Sequence, residues 1–103
     1  MRFLVRAKLP VETGNALVKD PNFSKRMDEI MGAIKPEAAY FAAEGGQRTV
    51  YFVVNLQDSY QLPSIAEPLW LSLKADVEFI PAMSAPDFAK AAPLIQQATQ
   101  KFG

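Results

Sequence analysis

Hydrophobic and polar residues alternate through the first segment of the chain, from Arg2 to Leu9. One side of the alternation carries Phe3, Val5, Ala7 and Leu9, and the other carries Arg2, Leu4, Arg6 and Lys8. Because the side chains of a strand point alternately to opposite faces, this period of two predicts a β-strand. Pro10, which has no backbone N–H, is expected to end it.

Two helices are predicted next, a short one over residues 12–19 and a longer one that ends at Lys35 and Pro36. Asp20 is expected to cap the longer helix, with Pro21 at its first position. The apolar residues of this helix are spaced by three and four, which is typical of a helix that buries one side. They are Phe23, Met27, Ile30, Met31 and Ile34.

The segment from Ala38 to Leu56 predicts a β-hairpin. Its centre is Glu44-Gly45-Gly46-Gln47, and paired glycines readily adopt the positive φ angles of a tight turn. The second arm, Thr49 to Leu56, has apolar residues on both faces. That pattern is typical of a strand inside a sheet rather than at its edge.

A third helix is predicted from Asp58 to about Lys74. Its apolar residues are Leu62, Ile65, Ala66, Leu69, Trp70 and Leu73. Pro68 removes an intrahelical hydrogen bond, so a kink or a division into two pieces is expected.

The last third of the chain predicts a strand from Val77 to Met83 and then a helix that begins at Ser84 to Asp87. The apolar residues of this last helix are Phe88, Ala91, Ala92, Ile95 and Phe102. Pro93 is expected to bend or divide it.

This order of elements is that of the ferredoxin-like α+β fold, βαββαβ, with an extra C-terminal helix. We therefore predict a single domain over residues 1–103 with a four-stranded antiparallel sheet in the order 4-1-3-2. The face without helices is predicted to carry Leu4, Tyr40, Ala42, Tyr51, Val53, Ile80 and Ala82 among the charged Arg6, Lys8, Glu44 and Glu78. Such a face is too apolar to remain in water, so a partner is expected to cover it.

Composition excludes several classes of function. The 103 residues carry eleven basic and eleven acidic side chains, so no net charge attracts nucleic acid or an anionic membrane. Because Cys and His are absent from the sequence, thiolate and imidazole ligands and the Ser-His and Cys-His catalytic pairs are excluded. We expect no metal and no cofactor.

Arg6 and Lys8 interrupt the N-terminal segment and no segment is apolar enough to span a membrane, so a cytoplasmic location is expected.

Two segments resemble those of a known superfamily, namely residues 35–41 (KPEAAYF) and 65–91 (IAEPLWLSLKADVEFIPAMSAPDFAKA). Together with the order of elements, they make the chain resemble the dimeric α+β barrel superfamily, and within it a group of small uncharacterised bacterial proteins. The resemblance implies a homodimer whose two sheets pack face to face around a pocket. The superfamily includes muconolactone isomerases, cofactor-independent monooxygenases and haem-binding members, so it implies no single reaction. A haem-binding member normally supplies a His ligand, which this chain lacks.

Four residues, Arg6, Tyr40, Tyr51 and Glu78, are predicted to lie on neighbouring strands of the open face. As catalytic residues, Glu78 would act as a base and Arg6 would hold an enolate or carboxylate oxygen, while a tyrosine donates a hydrogen bond. As structural residues, Arg6 and Glu78 would neutralise each other, and the tyrosines would pack at the dimer interface.

A second candidate ligand-binding site is formed by Glu67 and Trp70, next to Pro68. An aromatic face offers contact area at little entropic cost, so a ligand stacked on Trp70 would reach Glu67. Alternatively, Trp70 fills the core or the dimer interface, and Pro68 shapes the helix to the sheet.

Three functions fit these residues. The first is a cytoplasmic homodimer that binds a small organic ligand in a cavity between the sheet and its dimer partner. The second is a cofactor-independent isomerase or monooxygenase that acts on a small carbonyl or aromatic compound. The third is a filled interface without a cavity. A cavity of about 300 Å³ or more would favour the first two functions over the third. The sequence leaves enzyme and binding protein undecided.

Overall fold

A four-stranded antiparallel sheet forms the centre of the computed structural model, which describes residues 1–103. The strands are β1 (Arg2–Lys8), β2 (Ala38–Glu44), β3 (Gln47–Asn55) and β4 (Asp76–Ala82). Their order across the sheet is β2-β3-β1-β4, and every neighbouring pair is antiparallel. Read from the other edge this is 4-1-3-2, so the predicted ferredoxin-like α+β topology is confirmed.

The helices are α1 (Val11–Lys19), α2 (Phe23–Ile34), α3 (Leu62–Leu73) and α4 (Ala85–Phe102), with a 3-10 turn at Ser59–Gln61 before α3. Both α3 and α4 continue through their internal prolines, Pro68 and Pro93. Of the two predicted outcomes, a bend or a division of the helix, the division does not occur. The predicted cap of α2 is also wrong. Asp20 lies one turn earlier, where its carboxylate accepts the backbone N–H of Asn22 at 2.9 Å.

The β2–β3 hairpin has the predicted turn. Gly45 and Gly46 have φ angles of 60° and 77°, in the left-handed region that a side chain disfavours. Glu44 and Gln47 are paired on either side of them, and this fixes the register of the two strands.

The hydrophobic core lies between the sheet and the layer of α1, α2 and α3. Val5, Ala7 and Phe52 of the sheet are completely buried, and Leu69 of α3 packs in the same cluster. These are the strand positions that the alternation assigns to the helical face, so the predicted phase of the strands is confirmed. No helix combines the length and hydropathy needed to cross a membrane.

The opposite face of the sheet carries no helix of this chain. The register places Leu4 beside Val53 and Ile80, and Ala38 beside Val53, in one row across the four strands. We call these four residues the apolar band. All four remain partly exposed, so the band is a hydrophobic surface that nothing in the single chain covers.

Candidate functional site

The strand register brings four sequence-predicted site residues into the row next to the apolar band. Arg6 is paired with Tyr51 on one side and with Glu78 on the other, and Tyr51 is paired with Tyr40. Because all four side chains point to the same face, they form a continuous polar and aromatic strip across the sheet.

Arg6 is held by two carboxylates. Its guanidinium donates to Glu44 at 3.0 Å and also to Glu78. The phenol of Tyr51 donates to the second oxygen of Glu44, and the ammonium of Lys8 lies 3.9 Å from the same carboxylate. We call Arg6, Glu44, Tyr51 and Glu78 the charged cluster. About a third of the Arg6 side chain is still exposed to solvent.

Glu44 is a member of the site that sequence reasoning missed. The alternation places it on the open face, but its position at the hairpin turn gives no sign that it reaches Arg6, two strands away in the sheet. In the sequence, Glu44 lies two residues after Ala42 and four after Tyr40, so all three point to the same face of β2. A glutamate side chain is also long enough to reach beyond its own strand.

The contacts within the cluster shift three pKa values. The hydrogen bond from Tyr51, followed by the charges of Arg6 and Lys8, holds the pKa of Glu44 below its ordinary value. The same hydrogen bond raises the pKa of Tyr51. Desolvation lowers the pKa of Arg6, but the charges of Glu78 and Glu44 outweigh it and leave that pKa raised. The cluster therefore holds a charged guanidinium, a charged Glu44 carboxylate and a neutral phenol across a wide pH range.

We expect Glu44→Gln to lower the pKa of Tyr51 towards the ordinary value of about 10. Because the hydrogen bond raises the pKa of Tyr51 and lowers that of Glu44, it stabilises the fold fully between about pH 4.3 and about pH 10, the ordinary values of the two groups. The stabilisation is lost as pH rises through the raised value of Tyr51 or falls through the lowered value of Glu44. Glutamine keeps the size of the side chain and removes the charge that opposes phenolate formation. Ultraviolet titration of tyrosinate, with Tyr51→Phe identifying the Tyr51 step, measures the change. Glu29→Gln on α2 is the matched control, and an identical Tyr51 titration in Glu44→Gln would contradict the assignment.

A shallow cavity of about 290 Å³ opens directly beside the charged cluster. Arg6 and Lys8 of β1 line one wall, and Asp76 and Glu78 of β4 line the other. Two positive and two negative side chains therefore face the same space. Such a lining suits a molecule with both donor and acceptor groups and disfavours one that carries a large net charge.

Other cavities lie on the helical side of the sheet, and two of them show how their linings differ. One, of about 190 Å³, is almost entirely apolar and lies at the β2 edge, with Phe41, Phe23 and Met27 among its walls. The other, of about 470 Å³, is a polar cleft between α1 and α3. Neither contains a sequence-predicted site residue.

The second predicted site does not join the first. Glu67 and Trp70 lie on α3, whose buried residues pack against the other face of the sheet, so the sheet separates them from the charged cluster. The side chain of Trp70 is half exposed and is absent from the buried core.

The residues of the charged cluster are held to one another by ion pairs and hydrogen bonds. No group of three or more His, Cys, Asp or Glu residues is arranged to hold a metal ion. A comparison of the chain with protein-family models, with curated proteins and with solved structures finds no match.

Proposed function

We propose that the chain acts as a homodimer that binds a small organic molecule between the open face of one sheet and its dimer partner. The observation that carries the proposal is the open face itself, on which an uncovered apolar band lies next to a charged cluster and its cavity. Contiguous apolar surface of this kind marks an interaction site.

The charges of the open face favour a second copy of the chain over a charged partner. Arg6 is neutralised by Glu44 and Glu78, and Arg2 is paired with Glu37 at 2.9 Å. A face whose charges are already paired offers little attraction to a strongly acidic or basic surface. It suits an isologous interface, in which the same patch is contributed by both partners.

The chemistry of the ligand follows from the two adjoining rows. The apolar band of one chain would contact the hydrocarbon part of the molecule. The exposed part of Arg6, the carboxylate of Glu78 and the nearby ammonium of Lys8 would bind its polar groups. The cavity, at about 290 Å³ in a single chain, is close to the lower size of small-molecule sites, about 300 Å³.

The ion pair between Arg6 and Glu78, the two candidate catalytic residues, favours binding over catalysis. The Glu78 carboxylate, proposed as a base, already accepts a hydrogen bond from Arg6, the group proposed to hold the oxyanion. Proton abstraction needs a Glu78 oxygen free to approach a substrate atom, and this oxygen is engaged by Arg6. Hydrogen bonding to a ligand needs only the parts of both side chains that remain exposed. For an isomerase or monooxygenase, a ligand would first have to break this pair.

Native mass spectrometry of the freshly purified protein tests the proposal. We expect a species of twice 11.4 kDa that carries a reproducible additional mass. Arg6→Gln is expected to lose the additional mass, whereas Arg48→Gln, on the helical side of the sheet, retains it. A monomer would contradict the homodimer, and a wild-type dimer without additional mass would contradict the bound ligand and favour a filled interface.

A further inference from the structure

We propose that α4 of each protomer packs across the apolar band of its partner and closes the ligand cavity there. This inference rests on the proposed homodimer and names the part of the second copy that completes the site. Three observations support it: the apolar stripe of α4 is exposed, α4 points away from its own sheet, and the single chain exposes more area than a compact one.

One side of α4 carries a regular apolar stripe with no partner in its own chain. The stripe has a spacing of three, four, three and four, and consists of Phe88, Ala91, Ile95, Ala98 and Phe102. No residue of α4 is buried, and the helix does not pack substantially against any other element. Phe88 is 58% exposed and Phe102 is 80% exposed. A helix with such a stripe normally buries it.

An isolated helix of this composition is not stable in water. Even alanine-rich helices of about 12–15 residues are marginal by themselves, and most helical stability in proteins comes from packing of the apolar face. Pro93, inside the 18 residues of α4, removes a further hydrogen bond. The helical state of α4 therefore requires a surface on which the stripe is buried.

That surface is not the sheet of the same chain. Only Met83 and Ser84 connect β4 to α4, and the Ser84 hydroxyl and the Asp87 carboxylate form a reciprocal capping box that fixes the start of the helix. The molecule is consequently elongated, 58 Å by 28 Å by 20 Å. Its radius of gyration is 17.0 Å, against about 13 Å for a compact chain of this length.

The exposed area matches what a dimer of this kind needs. The single chain exposes 7043 Å², whereas a compact monomer of its mass exposes about 5,800 Å². The excess, about 1,200 Å², exceeds the roughly 800 Å² that each partner contributes to a standard interface. One face of the sheet has a projected area of about 450 Å², and the exposed stripe of α4 adds apolar surface to it.

Site-directed cross-linking tests this arrangement. Because the chain has no Cys, each variant carries a single reactive thiol at a known position. Leu4→Cys, in the apolar band, is prepared with a heavy isotope label, and Ile95→Cys, in the stripe of α4, is prepared unlabelled. The two are mixed, allowed to exchange subunits and treated with a short bismaleimide linker. We expect a covalent product of doubled mass that contains one chain of each kind. Gln97→Cys, on the opposite side of α4, is the matched control and is expected to give little of it.

Other products identify other arrangements. Cross-links only between two Leu4→Cys chains would show direct packing of sheet on sheet and would overturn the role of α4 while leaving the homodimer intact. Cross-links only between two Ile95→Cys chains would show pairing of α4 with α4 and would also overturn it. A non-covalent mass of one chain before linking would overturn the homodimer itself. Val53→Cys replaces Leu4→Cys if the latter impairs folding.

Discussion

Tyr51→Asp is expected to dissociate the proposed homodimer. Tyr51 lies in the middle of the open face, between Arg6 and Tyr40, and its phenol donates to Glu44. Aspartate removes the aromatic contact and places a third carboxylate beside Glu44 and Glu78. An unpaired charge enclosed at an interface is strongly unfavourable, so we expect the dissociation constant to rise by roughly a hundredfold or more.

Tyr60→Asp provides the matched control for this experiment. Tyr60 lies on the 3-10 turn before α3 and is 78% exposed, so the same substitution there adds the same charge away from the open face. Sedimentation equilibrium over a range of concentrations measures both variants. A Tyr51→Asp protein that dimerises as tightly as Tyr60→Asp would show that the open face is not the interface.

Leu69→Ala is expected to be strongly destabilising. Leu69 is completely buried on α3 and packs in the cluster that joins this helix to the sheet. Removing its isobutyl group loses the transfer free energy of the buried carbons and leaves a cavity that the closely packed neighbours fill only in part. The expected decrease in the free energy of unfolding is about 2–5 kcal/mol.

Leu71→Ala separates this packing effect from helix propensity. Leu71 lies on the same helix, two residues away, and is 75% exposed. Its change to Ala is expected to alter the free energy of unfolding by no more than about 0.5 kcal/mol. Urea unfolding of both variants at one protein concentration measures the difference, since the stability of a dimer depends on concentration. Equal losses in the two variants would contradict the assigned core.

Much of the fold follows from local patterns in the sequence. The alternation of β1 determines which face is buried, because a shift of one residue would exchange Val5 and Arg6 between the core and the open face. The Gly45-Gly46 turn fixes the hairpin register. The cap of α2 could not be predicted in this way, because the Asp20 carboxylate is also drawn to Arg26, at 3.2 Å, which only the folded turn brings near.

The site is predictable to the extent that it depends on strand register. The strand order and the alternation suffice to place Arg6 beside Glu78 and Tyr51. The contact of Glu44 with Arg6 depends on side-chain conformation, which no sequence period encodes. The direction of α4 could not be predicted from the sequence either, because its apolar stripe indicates that one side is buried but does not identify the surface that buries it.

In the proposed homodimer, a second copy of the chain covers the open face. Isotope-filtered nuclear Overhauser measurements on a mixture of labelled and unlabelled protein test it most directly, because only contacts between chains are detected. If a second copy covers the open face, we expect contacts between chains at the methyl groups of Leu4, Val53 and Ile80. An absence of such contacts, or contacts confined to the helical side at residues such as Leu71, would contradict it.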